Sequence, residues 1–227
     1  MSVPLLVESY AKLPQPRPGD DPDLLQAGLQ EAMRVFRDEV RAKYTEGTLQ
    51  RLLSGGDEPA RRAAALALGF VGTMRSNLAL AAALKDDDPQ VRKTAADSLW
   101  EVWFRGDEAD HGWRLQQAMK LPDPAQAVAA LGELIGEAPE FAEAYNQRAV
   151  LHFRRGEYAR SVADCKAVLR LNPVHFGAAS GMGQCYLRMN KPRAALRAFR
   201  QALAIHPGLD DVRDAVRALE AALGDGD

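Results

Sequence analysis

Between residues 22 and 45 the apolar side chains Leu25, Leu29, Met33, Phe36, Val40 and Tyr44 recur every three or four positions, which lines one face of an α-helix with hydrophobic groups. The same spacing continues along the rest of the chain. The period-two alternation of a half-buried strand is almost absent. Pro89, Pro139, Gly156, Pro173 and Pro207 punctuate the helical stretches, so the pattern predicts an all-α chain of helices joined by tight turns.

Two internal periods organise these helices. The first aligns "DEPARRAAALALGFVG" at 57–72 with "DPQVRKTAADSLWEVW" at 88–103, a shift of 31 residues. Asp57 and Asp88 then stand at helix starts, Arg61 matches Arg92, Ala64 and Ala65 match Ala95 and Ala96, and Leu68 matches Leu99. Acids at helix starts satisfy free backbone N–H groups, and small residues let antiparallel helices approach closely. The expected hairpins are 47–53 with 58–71 and 75–84 with 89–104, covered by an amphipathic helix over 22–45. Ahead of that helix, "KLPQPRPGDDP" is too rich in proline to sustain a helix and predicts a flexible or extended arm.

The second period is 34 residues, with Pro139, Pro173 and Pro207 ending successive units. In "AEAYNQRAVLHFRRGEYARSVADCKAVLRLNP", Tyr145, Ala149, Gly156, Tyr158, Ser161, Leu169 and Pro173 stand at positions that resemble a tetratricopeptide repeat (TPR). The next unit keeps Gly183, Tyr186, Ala195, Phe199, Ala202 and Pro207, and the preceding one keeps Leu115, Ala127, Leu131, Leu134 and Pro139 as a degenerate first copy. The 31-residue pattern resembles HEAT repeats of the short type also found in phycobilisome-lyase-like proteins. Together the resemblances imply a right-handed α-solenoid of helical hairpins, HEAT-like repeats followed by TPRs. Expected divisions are an arm over 1–21, a capping helix with two HEAT-like repeats over 22–106, three TPR units over 107–207, and a capping helix with a tail over 208–227. Arg114 and Arg148 stand where the TPR pattern has leucine, and Ala179 replaces the aromatic that opens the first helix of a unit.

Composition adds little to the fold: 47% apolar and 26% charged residues are ordinary for a soluble domain. No apolar run approaches a membrane span and the N-terminus lacks a basic leader, so a soluble cytoplasmic protein without membrane contact is expected. Cys165 and Cys185 fall at apolar helix positions and are expected as buried free thiols. Charge is more informative than its total of −2. Residues 141–207 carry eleven Lys or Arg against three acids, while both flanking segments are net acidic.

Candidate chemistry is thin. Gly181-Met182-Gly183 resembles the start of a dinucleotide-binding loop, but Tyr186 stands where the third glycine belongs and no strand precedes it. His111, His152, His175 and His206 lie in no metal-ligand spacing. Asp86, Asp87 and Asp88 read as a helix cap before Pro89. Trp100, Trp103, Phe104 and Trp113 read as apolar filler where the two repeat types join. No catalytic residue, cofactor site or metal ligand is expected.

In the TPR family the first helix of each unit lines a concave face. The 34-residue register would place Gln116, Val150 and Gln184 there, then Met119, Phe153 and Leu187, then Lys120, Arg154 and Arg188. Asn146, Gly177, Ser180 and Gly181 fall on the same face, the small ones giving a shallow floor. The resemblance implies a non-enzymatic interaction scaffold that binds a protein or peptide partner carrying acidic groups. It does not extend to the clamp for chaperone C-terminal carboxylates, because Asn146 is one position off and Gly177 and Gly181 replace basic side chains. Two alternatives stay open: an accessory enzyme of bilin-lyase type, and polyanion or RNA binding by the basic segment, against which the overall charge of the chain speaks.

Overall fold

A computed structural model describes residues 5–14 and 21–224. Thirteen α-helices fill the described residues, with no strand among them. The chain divides into two compact units between Val102 and Trp103.

The first unit comprises α1 (Leu5–Ala11), α2 (Pro22–Lys43), α3 (Glu46–Gly55), α4 (Glu58–Val71), a single 3-10 turn (Met74–Ser76), α5 (Asn77–Ala83) and most of α6 (Pro89–Phe104). Side chains cap the starts as the sequence suggests. Asp21 accepts from the amides of Asp23 and Leu24, Asp57 from Ala60 at 3.0 Å and Asp88 from Val91 at 2.8 Å. The small face of α4 is buried at Ala60, Ala63, Ala64, Ala67 and Leu68. There Ser98 of α6 donates its hydroxyl to the Ala65 carbonyl. A Cβ on Gly69 would stand 2.5 Å from the Ser98 hydroxyl oxygen, so the close α4–α6 approach depends on that glycine.

Helix α1 falls within the stretch expected as a loose arm. Leu6 is buried, its amide donates to the Tyr44 hydroxyl, and Tyr10 meets the Phe36 ring edge-on. The proline-rich segment itself lies mostly at 15–20, outside the described residues.

The second unit contains α7 (Ala109–Met119), α8 (Pro124–Glu137), α9 (Ala142–Arg154), α10 (Tyr158–Leu171), α11 (Phe176–Arg188), α12 (Pro192–Ile205) and α13 (Asp210–Gly224). Helices α8, α10 and α12 begin at 124, 158 and 192 and end at 137, 171 and 205, an unbroken 34-residue spacing. Each consecutive pair from α7 to α13 packs together. The register recurs in the core, where Ala127, Ser161 and Ala195 are buried at one position and Leu131, Cys165 and Phe199 at another.

Turn chemistry explains why the first TPR-like unit departs from the others. After α9 and α11 the chain enters the left-handed region at Gly156 (φ 75°) and Asn190 (φ 54°), residues that tolerate it. The corresponding residue after α7 is Pro122, whose ring holds φ near −65° and forbids that turn.

The Gly181-Met182-Gly183 stretch is helical, inside α11. A Cβ on Gly183 would meet three carbons of the buried Phe199 ring at 2.5–2.9 Å, whereas one on Gly181 would be 3.9 Å from Cys165 Sγ. The two glycines therefore respond to alanine with opposite signs. Gly183→Ala is expected to destabilise the unit by about 1–2 kcal/mol through overpacking, and Gly181→Ala to stabilise it by about 1 kcal/mol through helix propensity. Urea unfolding of both variants beside the wild type reads the two shifts, and equal shifts would contradict the packing argument.

Candidate peptide-binding groove

Helices α7, α9 and α11 are the first helices of the three TPR-like units. Leu115 and Ala118 of α7 share a core with Phe141 and Ala144 at the start of α9, and α9 packs directly on α11. The residues singled out from the sequence are distributed over these helices in three environments.

Most are exposed. Gln116, Lys120, Arg154, Gln184 and Arg188 face solvent, together with apolar Met119 (45% exposed), Val150 (36%) and Leu187 (41%). Phe153 is half-buried, its ring edge-on to Tyr158 at 5.6 Å. Gly177, Ser180 and Gly181 are half-buried on α11. Asn146 differs: it is buried, and its amide donates to Glu143 Oε1 at 2.9 Å. Register puts it on the same face, but there it is held by the carboxylate one turn earlier and is buried where the other polar positions are exposed or half-buried.

One residue expected as apolar filler is exposed instead. Trp113 is 59% exposed on α7, not filler, and it stands 34 positions before Gln147 and 68 before Gly181. The period that assigned the other positions assigns this one too.

The cations divide into two classes. Arg114 and Arg148, at the leucine position of the pattern, pair with the second helix of their units, Arg148 inward and Arg114 at the surface. Arg114 meets Glu137, and Arg148 holds Asp164 in a two-pronged contact of 2.9 and 2.8 Å. That contact raises the Arg148 pKa and substitutes a charged clasp for an apolar contact. His152 adjoins it, with Nε2 3.8 Å from Asp164 Oδ2; its Nδ1 lies 2.7 Å from Glu157 Oε2, and hydrogen bonds from His152 and Arg155 push the Glu157 carboxyl down to about 2. By contrast, the side chains of Lys120, Arg154 and Arg188 form no ion pair among the described residues.

Both thiols are free and buried, and burial pushes the Cys165 thiol up to about 12. Cys185 donates to the Ser161 hydroxyl, which donates to the Ala149 carbonyl. Among the described residues no cluster of three or more His, Cys, Asp or Glu is arranged to hold a metal ion. No helix there is long and apolar enough to cross a membrane.

Helical hairpins at a fixed spacing, with buried small residues between paired helices, define a helical repeat protein. The family model for HEAT repeats matches residues 45–132 and that for the tetratricopeptide repeat matches 116–176. A TPR repeat-containing protein of Rhizobium etli is 30% identical over 142 residues, which are 61% of this chain and 70% of that protein. The chain thus belongs to the TPR repeat-containing proteins, with HEAT-like repeats ahead of its TPRs. It is also 36% identical over 95 residues to the human Protein SGT1 homolog, covering 41% of this chain and 26% of that one. A solved structure, the first TPR of Spaghetti (RPAP3) bound to HSP90 peptide SRMEEVD, aligns with 52% of this chain and 96% of its own at 19% identity and a TM-score of 0.49. Residues 116–132 are claimed by both family models, and they include the turn that Pro122 makes atypical.

Proposed function

We propose that the chain is a non-enzymatic interaction module whose TPR unit holds an acidic peptide segment of a protein partner against the face formed by α7, α9 and α11. The observation that carries this reading is the contrast between the two classes of arginine. Arg114 and Arg148 are neutralised by acids of the second helix of their own units, Arg148 by the buried Asp164 and Arg114 by the exposed Glu137. Lys120, Arg154 and Arg188 project outward beside exposed Met119, Val150 and Leu187. Unpaired cations next to apolar side chains suit a ligand that presents carboxylates together with hydrophobic anchors. Trp113 extends the apolar share of the same face, and Gly181 leaves room over α11. Two buried thiols that form no disulfide accord with work in the reducing cytoplasm.

An immobilised peptide library probed with the wild type and with the Phe153→Ala, Arg154→Glu, Arg188→Glu variant tests the reading. The wild type should select peptides containing Asp or Glu beside an apolar residue, and the variant should bind them at least about tenfold more weakly. Selection of the same peptides with unchanged strength by the variant would sink the proposal.

A further inference from the structure

The groove leaves most of the positive charge unused. From residue 165 to 207 the chain has no Asp or Glu against seven Lys or Arg. Of these, Arg188 belongs to the groove and Arg200 pairs with Glu220 of α13 at 2.7 Å. The other five, Lys166, Arg170, Lys191, Arg193 and Arg197, gather elsewhere.

A crevice of about 420 Å³ lies between α10 and α12 over α11, with Lys166, Arg170 and Arg197 at its rim and Leu169, Met182 and Tyr186 among its lining. A second hollow, of about 430 Å³, is lined by Lys191, Pro192, Arg193 and Leu223 of α13. The two share Ala194 and Arg197, so they form one continuous depression. None of the five side chains makes an ion pair or hydrogen bond among the described residues. On α11 the crevice is lined by Met182 and Tyr186, whereas the groove residues are Gly181, Gln184 and Arg188. At 3.6 residues per turn, position 182 lies roughly opposite position 184, so the depression and the groove use different sides of the helix.

We propose that this depression is a second docking surface, specific for an acidic protein segment, separate from the groove. Its charge is of one sign, and its floor is apolar at Leu169, Met182 and Ala198, so it matches carboxylates flanking one hydrophobic side chain. Along α12 the lining runs from Lys191 to Gln201, about 15 Å at 1.5 Å per residue. An extended segment covers that span with roughly five residues. Nucleic acid fits less well. Base stacking asks for exposed aromatic faces, the depression supplies only the partly buried Tyr186, and the whole chain is net negative.

The test uses the full chain and a fluorescent capped peptide, Glu-Asp-Glu-Leu-Asp-Glu, in the groove-disabled background Phe153→Ala, Arg154→Glu, Arg188→Glu. Anisotropy titration should show that this background still binds the peptide and ignores its Gln/Asn counterpart. Adding Lys166→Ala, Arg170→Ala and Arg197→Ala, all at exposed positions, should then weaken binding at least about tenfold with circular dichroism unchanged. If the groove-disabled background fails to bind, or the added substitutions change affinity less than about twofold, the second surface does not exist. Failure in the groove-disabled background with binding by the wild type leaves the groove reading standing. An oligouridylate that displaces the peptide at lower concentration than the unlabelled peptide itself would reassign the surface to nucleic acid and overturn the proposal.

Discussion

Replacing Glu143 with alanine is expected to destabilise the TPR unit by about 3–5 kcal/mol, the range for removing one member of a buried charged network. The Glu143 side chain is fully buried, and its two oxygens accept three hydrogen bonds. Oε1 receives Asn146 Nδ2 at 2.9 Å and Gln147 Nε2 at 2.6 Å, and Oε2 receives His175 Nε2 at 3.1 Å. The tautomer follows from the other side of the ring. His175 Nδ1 accepts the Ala178 amide at 3.0 Å, capping α11, so the ring proton sits on Nε2 and points at the carboxylate. Trp103 stacks on the imidazole with centroids 4.0 Å apart, closing that side to water. One carboxylate thus links the start of α9 to the cap of α11, 32 residues later. Without it the buried donors of Asn146 and His175 and the half-buried amide of Gln147 lose that acceptor, and the cap loses its orientation. Glu143→Gln keeps the shape but turns an NH2 toward other donors, so a loss of about 1–2 kcal/mol is expected. Thermal unfolding reads both, with a drop on the order of 10 °C for the alanine variant. A change under about 1 kcal/mol would show that the network is dispensable.

How much of this was legible in the sequence depends on how local each cause is. The 34-residue period set the starts of α8, α10 and α12 because small and large core positions repeat with it, as at Ala127, Ser161 and Ala195. Capping by Asp57 and Asp88 was equally legible, since a cap acts within three residues. Helix α1 was not. Only Leu6 and Ser9 are buried in its seven residues, and its position depends on Tyr44 and Phe36, remote in sequence. The burial of Asn146 was hidden for the same reason, because the periodicity that gives its face says nothing of a carboxylate anchored by His175 in the next unit. Arg148 looked like a defect in the pattern until Asp164, sixteen residues on, supplied its partner. The exposure of Trp113 was legible in its 34-residue register with Gln147 and Gly181, although its aromatic neighbours suggested filler.

In the HEAT-like unit the largest expected effect is at Asp88, where alanine should cost about 2–3 kcal/mol, combining a lost cap with a lost charge partner. Asp88 Oδ1 caps α6 through the Val91 amide and also receives Arg62 Nε at 2.9 Å, while Oδ2 receives Arg62 Nη2 at 2.6 Å. Beside it Arg61 grips Asp86 in the same fork geometry at 2.8 and 2.9 Å. Adjacent arginines on α4 thereby hold two acids of the α5–α6 turn. The cost stays below that of a fully buried pair because the Arg62 side chain is 34% exposed and keeps Glu58 at 2.8 Å. Arg62 pushes the Asp88 carboxyl down to about 2 from an ordinary 3.8, and Arg61 lowers Asp86 in the same direction. A carboxyl whose pKa is lower in the folded state binds fewer protons there, so its contribution to stability is complete above the unfolded value near 3.8 and fades as pH falls toward 2. Melting temperature followed between pH 5 and 2 should therefore fall more steeply for the wild type than for Asp88→Asn, which keeps a cap but has no charge to lose. A double-mutant cycle with Arg62→Ala and Asp88→Ala should return a coupling of at least about 1 kcal/mol. Additivity within about 0.5 kcal/mol, together with parallel acid limbs, would mean that the fork does not hold α4 to the turn and that Asp88 acts as a cap alone.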